Sequence, residues 1–177
     1  DGVCCDTACT TVCQACTAAL KQSGTADGTC DIAVDGAPPN APGCGPYTCD
    51  GASAACPLSC ASDLDCVAGS YCDANGVCAA QKGQGVTCND HAGADCKADG
   101  CRVCTTGHCN DGLCCDQECA GNCDVCAAVL GAAADGTCMV LPASTPGKPG
   151  CAGGLFCNGT DAACPGSCVN DADCPTT

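Results

Sequence analysis

Eleven cysteines near the start of this 177-residue chain are answered by eleven more about 110 residues later, in the same order. Cys4, Cys5, Cys9, Cys13 and Cys16 match Cys114, Cys115, Cys119, Cys123 and Cys126; Cys30 matches Cys138. Cys44, Cys49, Cys56, Cys60 and Cys66 match Cys151, Cys157, Cys164, Cys168 and Cys174. Between them the residues vary freely, as in SGTADG against GAAADG, while Asp-Gly pairs recur. Cysteine register and turn residues are held and the filling is replaceable, which is the signature of a disulfide framework.

Such a framework is needed because the chain cannot build an ordinary core. Cys and Ala make up most of its hydrophobic fraction, whereas Leu, Ile, Val and Phe number 20, or about 11%, below the level at which a charged chain tends towards disorder. A large buried side chain contributes about 1.5–3 kcal/mol, and ordering one residue costs about 1–2 kcal/mol in backbone entropy. The 29 cysteines, about 16% of residues, exceed the density of known disulfide scaffolds. Bridges contribute about 2–4 kcal/mol each and require an oxidising compartment, so an extracellular or cell-surface location is expected. The chain begins at Asp1 without Met, which reads as a mature or excised segment. No apolar run is long enough to span a bilayer. The net charge of −15 argues against nucleic acid and against anionic lipid, and the dispersed acids read as a solvated surface.

The repeat divides the chain into a cysteine-rich module A (1–60), a module B (61–110), a second copy of module A (111–168) and the start of a truncated second module B (169–177). The remaining framework cysteines, Cys72, Cys78, Cys88, Cys96, Cys101, Cys104 and Cys109, fall in module B. The even spacing of Cys60, Cys66, Cys72 and Cys78 suggests alternate pairing, 60 with 72 and 66 with 78. By the same logic Cys168 and Cys174 are expected to lack partners within the chain, or to bond another chain. Adjacent cysteines rarely bond each other, because the Cα separation of a bridge does not suit a trans peptide. One member of each CC pair should therefore turn into its own module and the other reach elsewhere: Cys114 or Cys115 back to Cys109, and Cys4 or Cys5 to something before Asp1. This gives 13 internal bonds and three open sulfurs.

The expected fold class is small and disulfide-rich: mostly irregular, with short hairpins and one- to two-turn helices, in tandem beads without a large hydrophobic core. Helical turns are predicted over Cys13–Leu20 and Cys123–Leu130, ended by Gly24 and Gly131.

The phrases DGVCCDTAC, CQAC and DGTC resemble those of secreted cysteine-rich tandem-repeat proteins of myxobacteria and related bacteria. That resemblance implies an extracellular, surface-related role. CASDLDCVAGSYCDANGVCAAQKGQGVTC, in module B, is similar to the Dickkopf-type cysteine-rich pattern, and GLCCDQEC with FCNGTDAACP resembles disintegrin fragments. No Arg-Gly-Asp loop occurs, so no integrin-binding residue is carried over.

Cys101-x2-Cys104 with Cys123-x2-Cys126 fits a zinc template, yet Cys13-x2-Cys16 shows that CxxC belongs to the repeat. A metallothionein-like store would need reduced thiols. His91 and His108 are the only histidines, and no triad order, HExxH or phosphate loop is present, so no enzyme activity, catalytic residue or cofactor is expected. Asp63, Asp65, Asp171 and Asp173 stand at one repeat position and are weak Ca²⁺ candidates, with capping the alternative. Asn158-Gly159-Thr160 is a glycosylation sequon.

The function expected is that of an extracellular structural protein, a disulfide-stapled segment of a surface coat, stalk or filament. Its partners would be neighbouring repeats of a longer chain or further copies of itself, associating head to tail. The alternative is a binding or adhesion module that recognises a surface glycan or receptor through the variable loops 31–43 and 139–150. A compact protease inhibitor using GKPGC is a third reading.

Overall fold

The computed structural model describes residues 2–90, 102–168 and 174. Cys96, Cys101, His91, Asp171 and Asp173, all singled out above, lie outside the described residues. The chain divides into two compact units, Asp1–Ala80 and a second that begins at Gln81. The division falls inside module B, whereas the cysteine repeat sets its boundaries at 60/61 and 110/111.

Among the described residues the first unit contains six disulfides. Four hold the first copy of module A: Cys5–Cys16, Cys9–Cys30, Cys13–Cys49 and Cys44–Cys56. Within that frame β1 (Gln14–Ala15) pairs antiparallel with β2 (Asp31–Ile32), and one 3₁₀ turn spans Ala18–Leu20. The other two bridges, Cys60–Cys72 and Cys66–Cys78, follow the alternate pairing expected from their spacing. They clasp a hairpin of β3 (Ser70–Cys72) and β4 (Cys78–Ala80) and a 3₁₀ turn at Asp63–Asp65. The Asp73 carboxylate closes the hairpin by accepting the N–H groups of Asn75 and Val77, each at 2.9 Å, the usual reason for Asp at a turn.

The second unit repeats the frame. Cys115–Cys126, Cys119–Cys138, Cys123–Cys157 and Cys151–Cys164 join the sequence counterparts of the first four bridges. The backbone follows: β7 (Asp124–Val125) pairs with β8 (Met139–Val140), and a 3₁₀ turn covers Ala128–Leu130. Further pairs are β5 (Cys109–Asn110) with β6 (Leu113–Cys114), and β9 (Thr145–Pro146) with β10 (Phe156–Cys157). Cys88–Cys109, Cys104–Cys114 and Cys168–Cys174 bring the described disulfides to thirteen.

The fold is therefore small and disulfide-rich, built of short antiparallel two-stranded pairs. Sulfur takes the place of aliphatic side chains in the interior. One apolar cluster is Cys13, Ala15, Ala33, Ala37, Cys44 and Cys49; its counterpart is Cys123, Val125, Ala132, Leu141, Cys151 and Cys157. Two more clusters consist of cysteine alone: Cys60, Cys66, Cys72 and Cys78, flanked by Tyr47, and Cys115, Cys119 and Cys126, flanked by Leu113 and Cys138.

The helices expected over Cys13–Leu20 and Cys123–Leu130 are not formed. Each stretch begins as a strand and ends in one 3₁₀ turn. The carbonyl groups a helix would use internally are engaged elsewhere: Cys13 O accepts Ala33 N–H at 2.9 Å and Cys16 O accepts Gly28 N–H at 3.1 Å. Cys13 and Cys16 are also drawn to different partners, Cys49 and Cys5. Of the two expected terminators, Gly131 caps its turn with φ 118°, whereas Lys21, not Gly24, follows the first.

Two expectations about sulfur are also corrected. Cys168 and Cys174 are bonded to each other across a Cα separation of 5.4 Å. That separation lies within the range of a bridge. The bond reaching back across the module boundary is Cys104–Cys114, not one from Cys109, which is bonded to Cys88. Cys109 and Cys114 instead face each other as β5–β6 strand partners.

Candidate functional site

The most built feature of the molecule is the joint at the second CC pair. Asn110-Asp111-Gly112-Leu113 forms a two-residue hairpin loop, with φ of 52° at Asp111 and 79° at Gly112, the positive pair that suits the twist of a hairpin. Asp111 also fixes the fold below it, since its carboxylate accepts Cys126 N–H at 2.7 Å. β6 is then laddered on its other side to residues 85–88: Gly85 N–H donates to Cys114 O at 2.8 Å, Cys114 N–H to Val86 O at 2.9 Å, and Cys88 N–H to Gly112 O at 3.0 Å. The segment before this ladder is anchored by Lys82, which pairs in parallel with Cys104 and whose ammonium meets Asp90 at 2.6 Å and Thr87 O at 2.8 Å.

The same segment lies on the Asp135-Gly136-Thr137 turn. Gln84 Nε2 donates to Gly136 O at 3.1 Å, and a Cβ on Gly85 would stand 2.8 Å from Asp135 O. A Cβ on Gly136 would collide with the Gly85 backbone, so two glycines permit this close approach. Cys114 and Cys115 are both fully buried here, one bonded to Cys104 and the other to Cys126. The CC pair diverges as expected, one sulfur into its own frame and one back into the preceding segment.

The first CC pair is bare. Cys5 is bonded to Cys16, and Cys4 carries the single free thiol among the described residues. Both Cys4 and Cys5 are exposed, as are Gly2 and Thr29. Below them the two frames agree closely: Asp6 N–H donates to Gly28 O as Asp116 N–H donates to Gly136 O.

Among the metal candidates, those within the described residues make local contacts. Asp65 accepts Ala61 N–H at 2.6 Å and Ser62 N–H at 2.9 Å as part of a capping box, and Asp63 accepts Cys72 N–H at 2.8 Å. Those carboxylates are engaged in capping. In the zinc template, Cys104, Cys123 and Cys126 are each consumed in a disulfide. His108 is half-buried, its carbonyl accepting Cys115 N–H at 2.9 Å. In the sequon, Asn158 Nδ2 donates to Asp161 at 2.6 Å, and its Oδ1 accepts the N–H groups of Thr160 and Asp161.

Three features escaped the reading of the sequence. Asp124 is only 6% exposed, and its Oδ1 has no hydrogen-bonding partner. Burial raises its pKa, the backbone N–H groups of Gly121 and Asp124 partly offset this, and the charges of Asp111 and Glu118 push it further up. The signal was the neutral Gln14 at the matching position. Lys21 is also buried, with Nζ donating to Ala26 O, Thr29 O and Thr29 Oγ1 at 2.5, 3.1 and 2.7 Å. Finally, a cavity of about 370 Å³ in the first unit is lined by Asp35, Asp50, Asp65 and Leu58, the last 93% exposed. Asp50 is held below the usual carboxylate range by the N–H groups of Ala52 and Ser53.

Compared with family models, curated proteins and solved structures, the chain matches none. Among the described residues no helix is long and apolar enough to cross a membrane. Thirteen disulfides are the bonding of a protein from an oxidising, extracellular setting.

Proposed function

We propose that this chain is an extracellular structural protein, a segment of a surface coat, stalk or filament whose repeats are coupled end to end through disulfides. The observation that carries the reading is the recurrence of one four-bridge frame on two different fillings. Cys13–Cys49 and Cys123–Cys157 close loops of nearly equal length, although the residues inside them share little beyond turns. Bridges that restrict the unfolded chain resist extension and heat without needing specific surface chemistry, which suits a load-bearing element more than a recognition surface. The resemblance to secreted cysteine-rich repeat proteins points the same way. In this reading the chain needs no catalytic residue and no cofactor, and its partners are other repeats.

Single-molecule stretching of the chain tests this. Without reductant, extension should stop at a small fraction of the contour length, because most residues lie inside closed loops; with reductant the full length should be released. Equal extension in both conditions would refute the reading.

The adhesion reading has one observation of its own, the exposed Leu58 beside a cavity holding three carboxylates. Its ligand would carry a basic group next to an apolar one. The variable loops 31–43 and 139–150 belong to different units.

A further inference from the structure

The two copies of module A differ most where they begin. In the second, Gly112–Cys114 is laddered to residues 85–88, Cys114 is bonded to Cys104, and Gln84-Gly85 lies on the Asp135–Thr137 turn. In the first, each counterpart is present but uncovered. Cys4 and Cys5 are exposed where Cys114 and Cys115 are buried, Gly28 is half-buried where Gly136 is buried, and Thr29 is exposed where Thr137 is half-buried. A Cβ on Gly28 would meet nothing closer than Cys4 O at 3.4 Å, in the place where Gly136 meets the Gly85 backbone.

We propose that Gly2–Cys4 together with the Asp27–Thr29 turn is the acceptor half of a repeat-to-repeat joint. Its occupant is a segment with the pattern of residues 82–110 lying N-terminal to Gly2 in the same polypeptide, as residues 82–110 lie N-terminal to Gly112. Val3 takes the place of Leu113 in the ladder, and Cys4 bonds the occupant's counterpart of Cys104. The proposal rests on the coupled-repeat reading above and names the partner it requires. The bond forms by thiol–disulfide exchange with a small-molecule disulfide such as oxidised glutathione. One protein thiolate attacks it and releases one glutathione thiol; the second attacks the mixed disulfide and releases the other, so two protons and two electrons leave the cysteines.

The test extends the full chain by a duplicate of residues 61–110 placed ahead of Asp1 and refolds it in a glutathione buffer. Cys4 should become inert to alkylation, and digestion without reduction should recover it linked to the duplicate of Cys104. Amide exchange at Val3 and Cys4 should slow by ~10-fold or more relative to the parent chain. A second extended chain carrying Cys104→Ser in the duplicate should leave the Cys4 thiol reactive while keeping the slowed exchange at Val3, which separates docking from bonding. The proposal is overturned if Cys4 alkylates in the first extended chain as it does in the parent, if it pairs with Cys4 of a second molecule, or if exchange at Val3 is unchanged in both. The same digest reports Cys5–Cys16, Cys9–Cys30, Cys13–Cys49 and Cys44–Cys56. Intact bridges with a reactive Cys4 would sink the joint alone, whereas scrambled bridges would sink the framework reading as well.

Discussion

Cys104 is bonded to Cys114 across a Cα separation of 5.4 Å, tying the segment before the second module to its first strand while Cys115, the next residue, is bonded inside the module. Adjacent cysteines thus serve two different bodies of structure. Replacing both residues, Cys104→Ala with Cys114→Ala, should cost about 2–4 kcal/mol. The loss should be local: amide exchange at Cys88 and at position 114 should accelerate, while the four bridges from Cys115 to Cys164 persist in a digest made without reduction. Loss of those four bridges would show that the joint holds the frame rather than couples it.

The two frames fill one space in two ways. Ala15 and Ala33 in the first are Val125 and Leu141 in the second. Lys21 follows the first 3₁₀ turn and is buried, whereas Gly131 follows the second, where an added Cβ would stand 3.3 Å from Leu141 Cδ2. The Leu141 side chain and the Lys21 stem are alternatives for neighbouring volume. Leu141→Ala should destabilise by about 3 kcal/mol. Ala33→Leu should cost about 1–3 kcal/mol through overpacking against Lys21. A double-mutant cycle with Lys21→Gly, read by urea unfolding without reductant, should show a total smaller than the sum of the single changes.

Lys21 alone gives a separate expectation. Its ammonium satisfies Ala26 O and Thr29 O inside the turn that leads to Cys30. Lys21→Ala leaves Thr29 O without its ammonium donor and Ala26 O with only the Thr29 hydroxyl at 3.2 Å, and should cost about 2 kcal/mol, measurable as a lower thermal midpoint in a chain whose disulfides remain intact.

Asp124 makes stability depend on pH in an unusual sense for a carboxylate. Its pKa is raised in the folded state by burial and by Asp111 and Glu118. A group raised on folding favours the native state while protonated, and that contribution is lost as pH rises through the folded pKa. Asp124→Asn keeps the shape and removes the charge, so it should stabilise the chain at pH 7, and the gain should shrink towards zero as pH falls below the ordinary carboxylate range. Urea midpoints of both proteins across that interval check it; a gain that grows in acid would contradict the assignment.

Asp65 distinguishes capping from calcium. Its carboxylate accepts the N–H groups of Ala61 and Ser62. Asp65→Ala should lower stability by about 1 kcal/mol in a chelator-containing buffer, where a role through calcium would leave no difference to lose.

Sulfur pairings were legible where spacing was regular and local. The even run Cys60, Cys66, Cys72, Cys78 admits few simple patterns, and the alternate one is found. The repeat alignment identified equivalent cysteines, and every bridge of the first frame has its counterpart in the second. What composition could not show was the competition for backbone groups. Cys13–Leu20 has the residues of a helix, but Cys13 O and Cys16 O are taken by Ala33 and Gly28 across the frame, and long-range pairing overrides local propensity. The choice of Cys104 over Cys109 for Cys114 was hidden for a related reason. Asp111-Gly112 turns β5 back on β6 and makes Cys109 a strand partner of Cys114, while Cys109 is bonded to Cys88. Asp124 and Lys21 were hidden because each is an exception to a repeat whose other copy carries an ordinary residue.

The central claim is that one disulfide frame is built twice and that Cys4 is the sulfur it leaves open. The most direct measurement is a disulfide map of the native chain, alkylated before any reduction and then digested. The expected result is Cys4 alkylated and the four bridges Cys5–Cys16, Cys9–Cys30, Cys13–Cys49 and Cys44–Cys56 recovered alongside their counterparts Cys115–Cys126, Cys119–Cys138, Cys123–Cys157 and Cys151–Cys164. Different pairings in the two copies, or sulfurs that alkylate only after a chelator has removed bound metal, would contradict it.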